Sequence, residues 1–328
     1  MDLSTLSKYR TQLMGVAILL VALFHSSIIR ANEAIDLLCF CGDMGVDIFF
    51  FVSGFGMYYT FIKKTSMKEF YMKRSIRIIP AWFLINLFVQ LWGTSLENIN
   101  WMWFLKCMTG FTFWLDGNLY YWYIPSILLF YFMTPFFMKM YKKNKIKAYI
   151  GISVLWMGLL GCSLLAYNAD YFIFLFRFPI YFIGILFGEL SYKNTKWKKE
   201  ILVGCIAVLI LGILSLSFIK HYHATTWIRY DFKYFVYFVA ALSFIILLCY
   251  FFEQVDYRFP ILNFLGKITL EVYLLHEYIL RKITGMFDGI PFDSLGIIFN
   301  ILVFGITVII AYIIHNGLTH ICQITKRS

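Results

Sequence analysis

The chain alternates long apolar stretches with short polar ones, and the apolar stretches have the length a bilayer requires, about 20 residues. Ten can be drawn, over residues 11–30, 45–62, 76–93, 120–140, 147–167, 171–191, 201–219, 234–252, 261–282 and 295–316. Each predicts a helix, because a spanning segment must satisfy its backbone polar groups internally. The ninth is interrupted by Lys267, Glu271, His276 and Glu277. The aromatic stretch 97–115, with Glu97, Lys106 and the adjoining Asp116, reads as re-entrant or interfacial rather than spanning. The expected architecture is all-α: one polytopic membrane domain over residues 1–328, with no soluble domain and no convincing repeat.

Composition supports this reading. Of 328 residues, 61% are hydrophobic and only 14% charged, whereas a soluble domain is nearer half apolar and a quarter charged. The net charge of +11 would point to nucleic acid in a soluble protein. Here the cations cluster in short loops between apolar runs, so anionic headgroups and topological orientation account for them, and no nucleic-acid partner is expected. One set of ends and loops holds Lys8 and Arg10, six basic residues over 63–77, five over 139–147, four over 193–199, Arg258, Lys326 and Arg327. The alternate set holds only Arg30, Lys106, Lys220, Arg229 and Lys233. That alternation places both termini in the cytoplasm and favours ten spans over nine or eleven. The first apolar stretch is long and lacks a small-residue cleavage site, so no cleavable signal peptide is expected. The seven cysteines are odd in number and lie mostly in apolar runs, which argues against a disulfide framework. Cys39 and Cys41 lack a nearby second pair to complete a tetrahedral site, so no metal is expected.

Against this background the ionisable groups stand out. His25 lies in the apolar run Leu13–Ile29, and a titratable side chain at membrane depth is usually kept for chemistry or transport. Topology puts His25 near the outer end of the first segment and Asp47 near the outer start of the second. Neighbouring antiparallel helices would bring the two level, where a carboxylate fixes an imidazole's tautomer and raises its basicity, as a general base requires. Trp122, Tyr123, Arg177, Tyr273 and His276 fall in the same outer half. Each has a structural reading too: His25 bonding a neighbouring helix, Trp122 and Tyr123 in an interfacial belt, Arg177 reaching headgroups, Asp47 at a helix N-terminus. Their convergence at one depth is what points to a site. At the other side Arg74 and Arg77, three apart, share a helix face suited to a phosphate, although the positive-inside rule would also supply a basic loop there. Asp288 and Asp293 read as solvated loop residues.

Six stretches resemble, in order along the chain, the acyltransferase type 3 family of integral membrane proteins, bacterial enzymes that O-acylate surface polysaccharides and related glycans. They are GVAILLVALFH (15–25), GVDIFFFVSGF (45–55), KRSIRIIPAW (73–82), LYYWYIPSILLFYFMTPFF (119–137), RFPIYFIGILFG (177–188) and LGKITLEVYLLH (265–276). The resemblance implies a ten-helix domain in the bacterial plasma membrane, with acyl-CoA, commonly acetyl-CoA, as cytoplasmic donor substrate rather than bound cofactor. Transfer would be to a glycan hydroxyl. The resemblance makes His25 the expected base and supplies the family's Arg-x-x-Arg pair as Arg74 and Arg77; on our reading Asp47 would orient His25, and Arg74 and Arg77 would hold the phosphates of CoA. Trp122, Tyr123, Arg177 and His276 would position the acceptor or stabilise charge.

The chain departs from the family at one point. The family's first helix typically carries an Arg, then ten residues, then the His; that Arg position is Met14 here. Eleven positions at about 100° each return to nearly the same face, so the family's Arg and His share a surface. Arg10, one turn further in and offset by about 60° from His25, is the residue placed to substitute. Some members have been considered exporters, so a transporter of a glycan or lipid-linked sugar is the alternative reading, and a sensor or partner subunit with a vestigial site is a third.

Overall fold

The computed structural model describes every residue except Met1, 27–31, 64, 93–99, 121, 167–169, 223–228, 287–295 and 325–328. Arg30, Lys64, Glu97, Asp288, Asp293, Lys326 and Arg327 therefore lie outside the described residues. Among the described residues the protein is helical, with no strand beyond an isolated bridge between Asp2 and Lys196. The first helices are α1 (Thr5–Lys8), α2 (Arg10–His25), α3 (Glu33–Cys41), α4 (Met44–Ile62) and α5 (Met67–Leu91). Then come α6 (Trp101–Thr109), α7 (Phe111–Asp116), α8 (Tyr123–Lys143), α9 (Lys145–Leu165), α10 (Phe172–Leu175) and α11 (Phe178–Tyr192). The last are α12 (Glu200–Tyr222), α13 (Lys233–Val255), α14 (Pro260–Lys267), α15 (Thr269–Gly285) and α16 (Gly296–Ile324). Among the described residues seven helical stretches are long and apolar enough to cross a membrane: α5, α8, α9, α10 with α11, α12, α13 and α16.

Each predicted segment overlaps a helix, and the differences bear on the site. Helix α2 stops at His25, where Ser26 turns to extended backbone (φ −60°, ψ 145°), so the imidazole sits on the last helical residue. Helix α5 starts well before residue 76 because Ser66 caps it, its hydroxyl accepting the Glu69 N–H at 3.2 Å. Arg74 and Arg77 consequently lie within a helix instead of opening one. The sixth segment is split around Arg177 and the ninth at Ile268. The described part of the aromatic stretch forms the helix pair α6–α7, hinged at Gly110, whose φ of 77° favours glycine. Trp82 and Asn86 tie α6 to α5 through the carbonyls of Met108 (2.8 Å) and Cys107 (2.7 Å), while Trp101, Met102 and Leu115 stay exposed, as an interfacial element requires.

In lipid, close helix association depends on small residues that let backbones approach. Helix α4 is buried along most of its length and meets neighbours through glycines on two faces. Toward α2, a Cβ on Gly45 would sit 2.4 Å from the Ala17 carbonyl; toward α11, one on Gly54 would sit 1.9 Å from the Tyr181 carbonyl. Gly184 and Gly188 of α11 approach the Phe51 and Phe55 carbonyls in the same way. Helices α2 and α14 lock similarly, through Gly15 against Leu262 and Gly266 against Thr11. Gly54→Val is expected to force α4 and α11 apart and cost roughly 1–3 kcal/mol or more, read as a lower unfolding midpoint in detergent; an unchanged midpoint would show that the contact is not tight.

Candidate functional site

Two recesses meet inside the bundle. The larger, about 600 Å³, collects four cations: Arg10 from α2, Arg74 and Arg77 from α5 and Lys267 from α14. Arg10 lies directly over Gly56 of α4, where a Cβ would come within 2.8 Å of its Nη2. Arg74 donates to the Thr60 hydroxyl at 3.3 Å and rests 5.2 Å from the centre of the Tyr131 ring. Met14 lines the same cavity, so Arg10 supplies a guanidinium one turn from the position where the family carries one. Inward from these cations the walls become apolar and aromatic, with Phe49, Val52, Ile127, Tyr123 and Tyr273. Tyr123 and Tyr273 stand with ring centres 5.0 Å apart and Phe49 against both, closing that end.

Beyond Tyr273 lies a pocket of about 30 Å³ lined by His25, Trp122, His276 and Glu277 among others. The rings of His25 and His276 are 5.0 Å apart, edge to face. His276 is 6% exposed, and its Nδ1 lies 2.6 Å from the Tyr273 carbonyl. A carbonyl only accepts, so Nδ1 carries the proton and Nε2, which has no hydrogen-bond partner, is left as an acceptor when the ring is neutral. Glu277 comes within 3.9 Å of His25 Nδ1 through Oε2, while its Oε1 takes two N–H groups of Arg281 at 3.0 and 2.7 Å. Tyr120 lines this pocket and also a wider groove of about 630 Å³ bordered by Trp92, Tyr278, Arg281 and Lys282.

The expected pairing of Asp47 with His25 is corrected by this geometry. Asp47 Oδ2 accepts the Arg177 Nε–H at 3.1 Å and its Oδ1 has no hydrogen-bond partner. The reason is rotational. Gly45 faces α2, and Asp47, two residues on, points about 200° away, onto the face that carries Gly54 toward α11. Arg177 is fully buried and does not reach headgroups; it binds Asp43 through Nη2 (2.8 Å) and lies 5.3, 4.9 and 5.7 Å from the ring centres of Trp122, Tyr234 and Tyr237. Trp122 therefore connects the ionic cluster to the histidine pocket.

The structure brings His25, Trp122 and His276 together, places Tyr123, Arg74 and Arg77 around the larger cavity, and sets Asp47 and Arg177 behind Trp122. The carboxylate nearest His25 is Glu277, adjacent in sequence to His276. It was legible as a charge interrupting the ninth segment, but its partner was not. A further pair went unread: Glu271, 6% exposed, with His315 Nδ1 at 2.9 Å from its Oε1, both lining the larger cavity.

Seven helical stretches among the described residues that are long and apolar enough to cross a membrane make the chain a multi-pass membrane protein. The sequence model of the type 3 acyltransferases, described as an acyltransferase domain, matches residues 12–316. The chain belongs to that family, and its membership supports a membrane acyltransferase. No curated protein and no solved structure matches it.

Proposed function

We propose that the protein moves an acyl group, acetyl or a close relative, from acyl-CoA to a hydroxyl of a surface glycan, across the bacterial plasma membrane. The observation that carries this reading is that a cavity rich in guanidinium groups and a pocket with two imidazoles share one wall, Tyr273. The basic end faces the cytoplasm by the positive-inside rule, and both termini lie there in a ten-span arrangement. Arg10, Arg74 and Arg77 hold the phosphates of CoA, as charge-assisted bonds from guanidinium groups favour. The pantetheine arm runs along the apolar wall and delivers the thioester to the tyrosine pair.

At the far side the small pocket admits about one water-sized group, so a hydroxyl enters while the sugar ring stays in the groove beside Trp92 and Tyr278. His25 takes the hydroxyl proton, with Glu277 favouring the imidazolium that forms. The oxygen attacks the thioester carbon, the C–S bond breaks as the C–O bond forms, and His25 passes its proton to the departing thiolate. Tyr123 and Tyr273 carry hydroxyl donors suited to the developing oxyanion.

The test is reconstitution into vesicles, with acyl-CoA on one side and glycan on the other. The expected result is release of free CoA thiol matched by a glycan mass increase of one acyl group. Movement of unmodified glycan without thiol release would establish an exporter instead.

A further inference from the structure

The proposed transfer gives His276 no part, yet its imidazole is well defined. It is 6% exposed, and its Nδ1–H is committed to the Tyr273 carbonyl at 2.6 Å. The ring is thereby folded back on α15 with Nε2 at its outer edge, and among the described residues Nε2 has no hydrogen-bond partner. A buried acceptor of this kind calls for a donor, and the neutral ring can only accept at Nε2. His25 stands 5.0 Å away, centre to centre, and is the second acceptor in the same pocket when it acts as base. At that separation one oxygen can reach both rings with hydrogen bonds of about 2.8 Å.

The pocket, about 30 Å³, takes one water-sized group. A sugar hydroxyl brings a single O–H, which goes to His25 and leaves His276 Nε2 unpaired. A water brings two and serves both imidazoles. Solvent reaches the pocket: the His25 side chain is 30% exposed, and Tyr120 lines both the pocket and the wide groove outside it. A water held there stands where the attacking hydroxyl stands.

We propose that the protein has a second activity, hydrolysis of its acyl-CoA donor whenever no glycan hydroxyl fills the pocket, with His276 holding the attacking water. This rests on the reading of the larger cavity as the acyl-CoA site and of His25 as base. The water oxygen attacks the thioester carbon; the C–O bond forms and the C–S bond breaks. One water proton passes by way of His25 to the thiolate, and the other leaves with the free acid, which ionises in solution. His276 accepts the hydrogen bond of that second O–H and so orients the water toward the carbon.

The experiment gives the purified protein acetyl-CoA in heavy-oxygen water with no glycan present. Free thiol is expected at about 10²-fold or more above protein-free buffer, with one heavy oxygen in the acetate released. His25→Ala should abolish this. His276→Phe, confirmed as folded by monodisperse elution, keeps the bulk of the ring but offers no acceptor, and should lower it by about tenfold. Acetyl-CoA that binds by calorimetry but is not hydrolysed above buffer overturns the inference and leaves the donor site standing. Hydrolysis that persists in His25→Ala, or is undiminished in folded His276→Phe, overturns it too, because the water then lies elsewhere. If His276→Phe does not fold, methanol decides with the unaltered protein: competing for the pocket, it should divert acetyl into methyl acetate at the expense of acetate. Acetate formation that ignores methanol overturns the inference. Neither binding nor hydrolysis of acetyl-CoA overturns both the inference and the donor-site reading.

Discussion

His25→Ala should reduce acyl transfer by at least about 10³-fold, within the range lost when a positioned general base is removed, while the protein remains folded and membrane-inserted. Structural damage should be small because His25 ends α2 and its side chain is 30% exposed. Donor binding should persist, since the cations at the cavity mouth are four turns away along α2 at Arg10. Glu277→Gln should lower kcat by about tenfold to 100-fold with little change in KM for the donor, because Glu277 acts through His25, and Glu277→Asp should recover part of the loss. The checks are steady-state thiol release and unfolding midpoint, measured on the same preparations. Full activity in His25→Ala would remove His25 from the chemistry. Equal loss of activity and midpoint would give it a structural role only.

Arg177→Met is expected to be the most damaging single change to folding, at about 3–5 kcal/mol. Arg177 has no exposed surface, and Asp47 has none either. Removing the guanidinium leaves Asp43 and Asp47 without their cation, and breaking one member of a buried ionic set costs more than replacing the set. Arg177→Lys should also fail to restore the native midpoint, because an ammonium lacks the planar fork that reaches both carboxylates and stacks among Trp122, Tyr234 and Tyr237. Adding Asp47→Leu and Asp43→Asn to Arg177→Met should recover part of the lost midpoint. Unfolding in detergent and abundance in membranes measure both effects. A normal midpoint in Arg177→Met would mean that the carboxylates find other partners.

The helices were legible because apolar length and loop charge are local properties. Partnership between helices was harder to read. Asp47 and His25 share a depth, and depth was readable from topology, but the rotation that turns Asp47 toward α11 depends on which face of α4 carries Gly45 and which carries Gly54. Arg177 and Asp43 are separated by 134 residues, so nothing in their local sequence names one as the other's partner. The early start of α5 was masked by the basic residues before Arg74, which read as loop until the Ser66 cap is seen. Glu277 and Glu271 were visible as charges in a weak span. What they face was set by α2 and α16, packed from opposite ends of the chain.

The layer formed by Phe49, Tyr123 and Tyr273 also acts as an insulator. The larger cavity on one side and the small pocket on the other leave little more than these rings between them, so wherever water enters both, the membrane voltage would fall mainly across the rings. A unit charge crossing that layer would couple to the voltage by about 2.3 kcal/mol per 100 mV. In the proposed reaction an acyl group would cross outward while the hydroxyl's proton crosses inward to the thiolate, an exchange of no net charge, so the completed transfer would not be driven or opposed by the voltage.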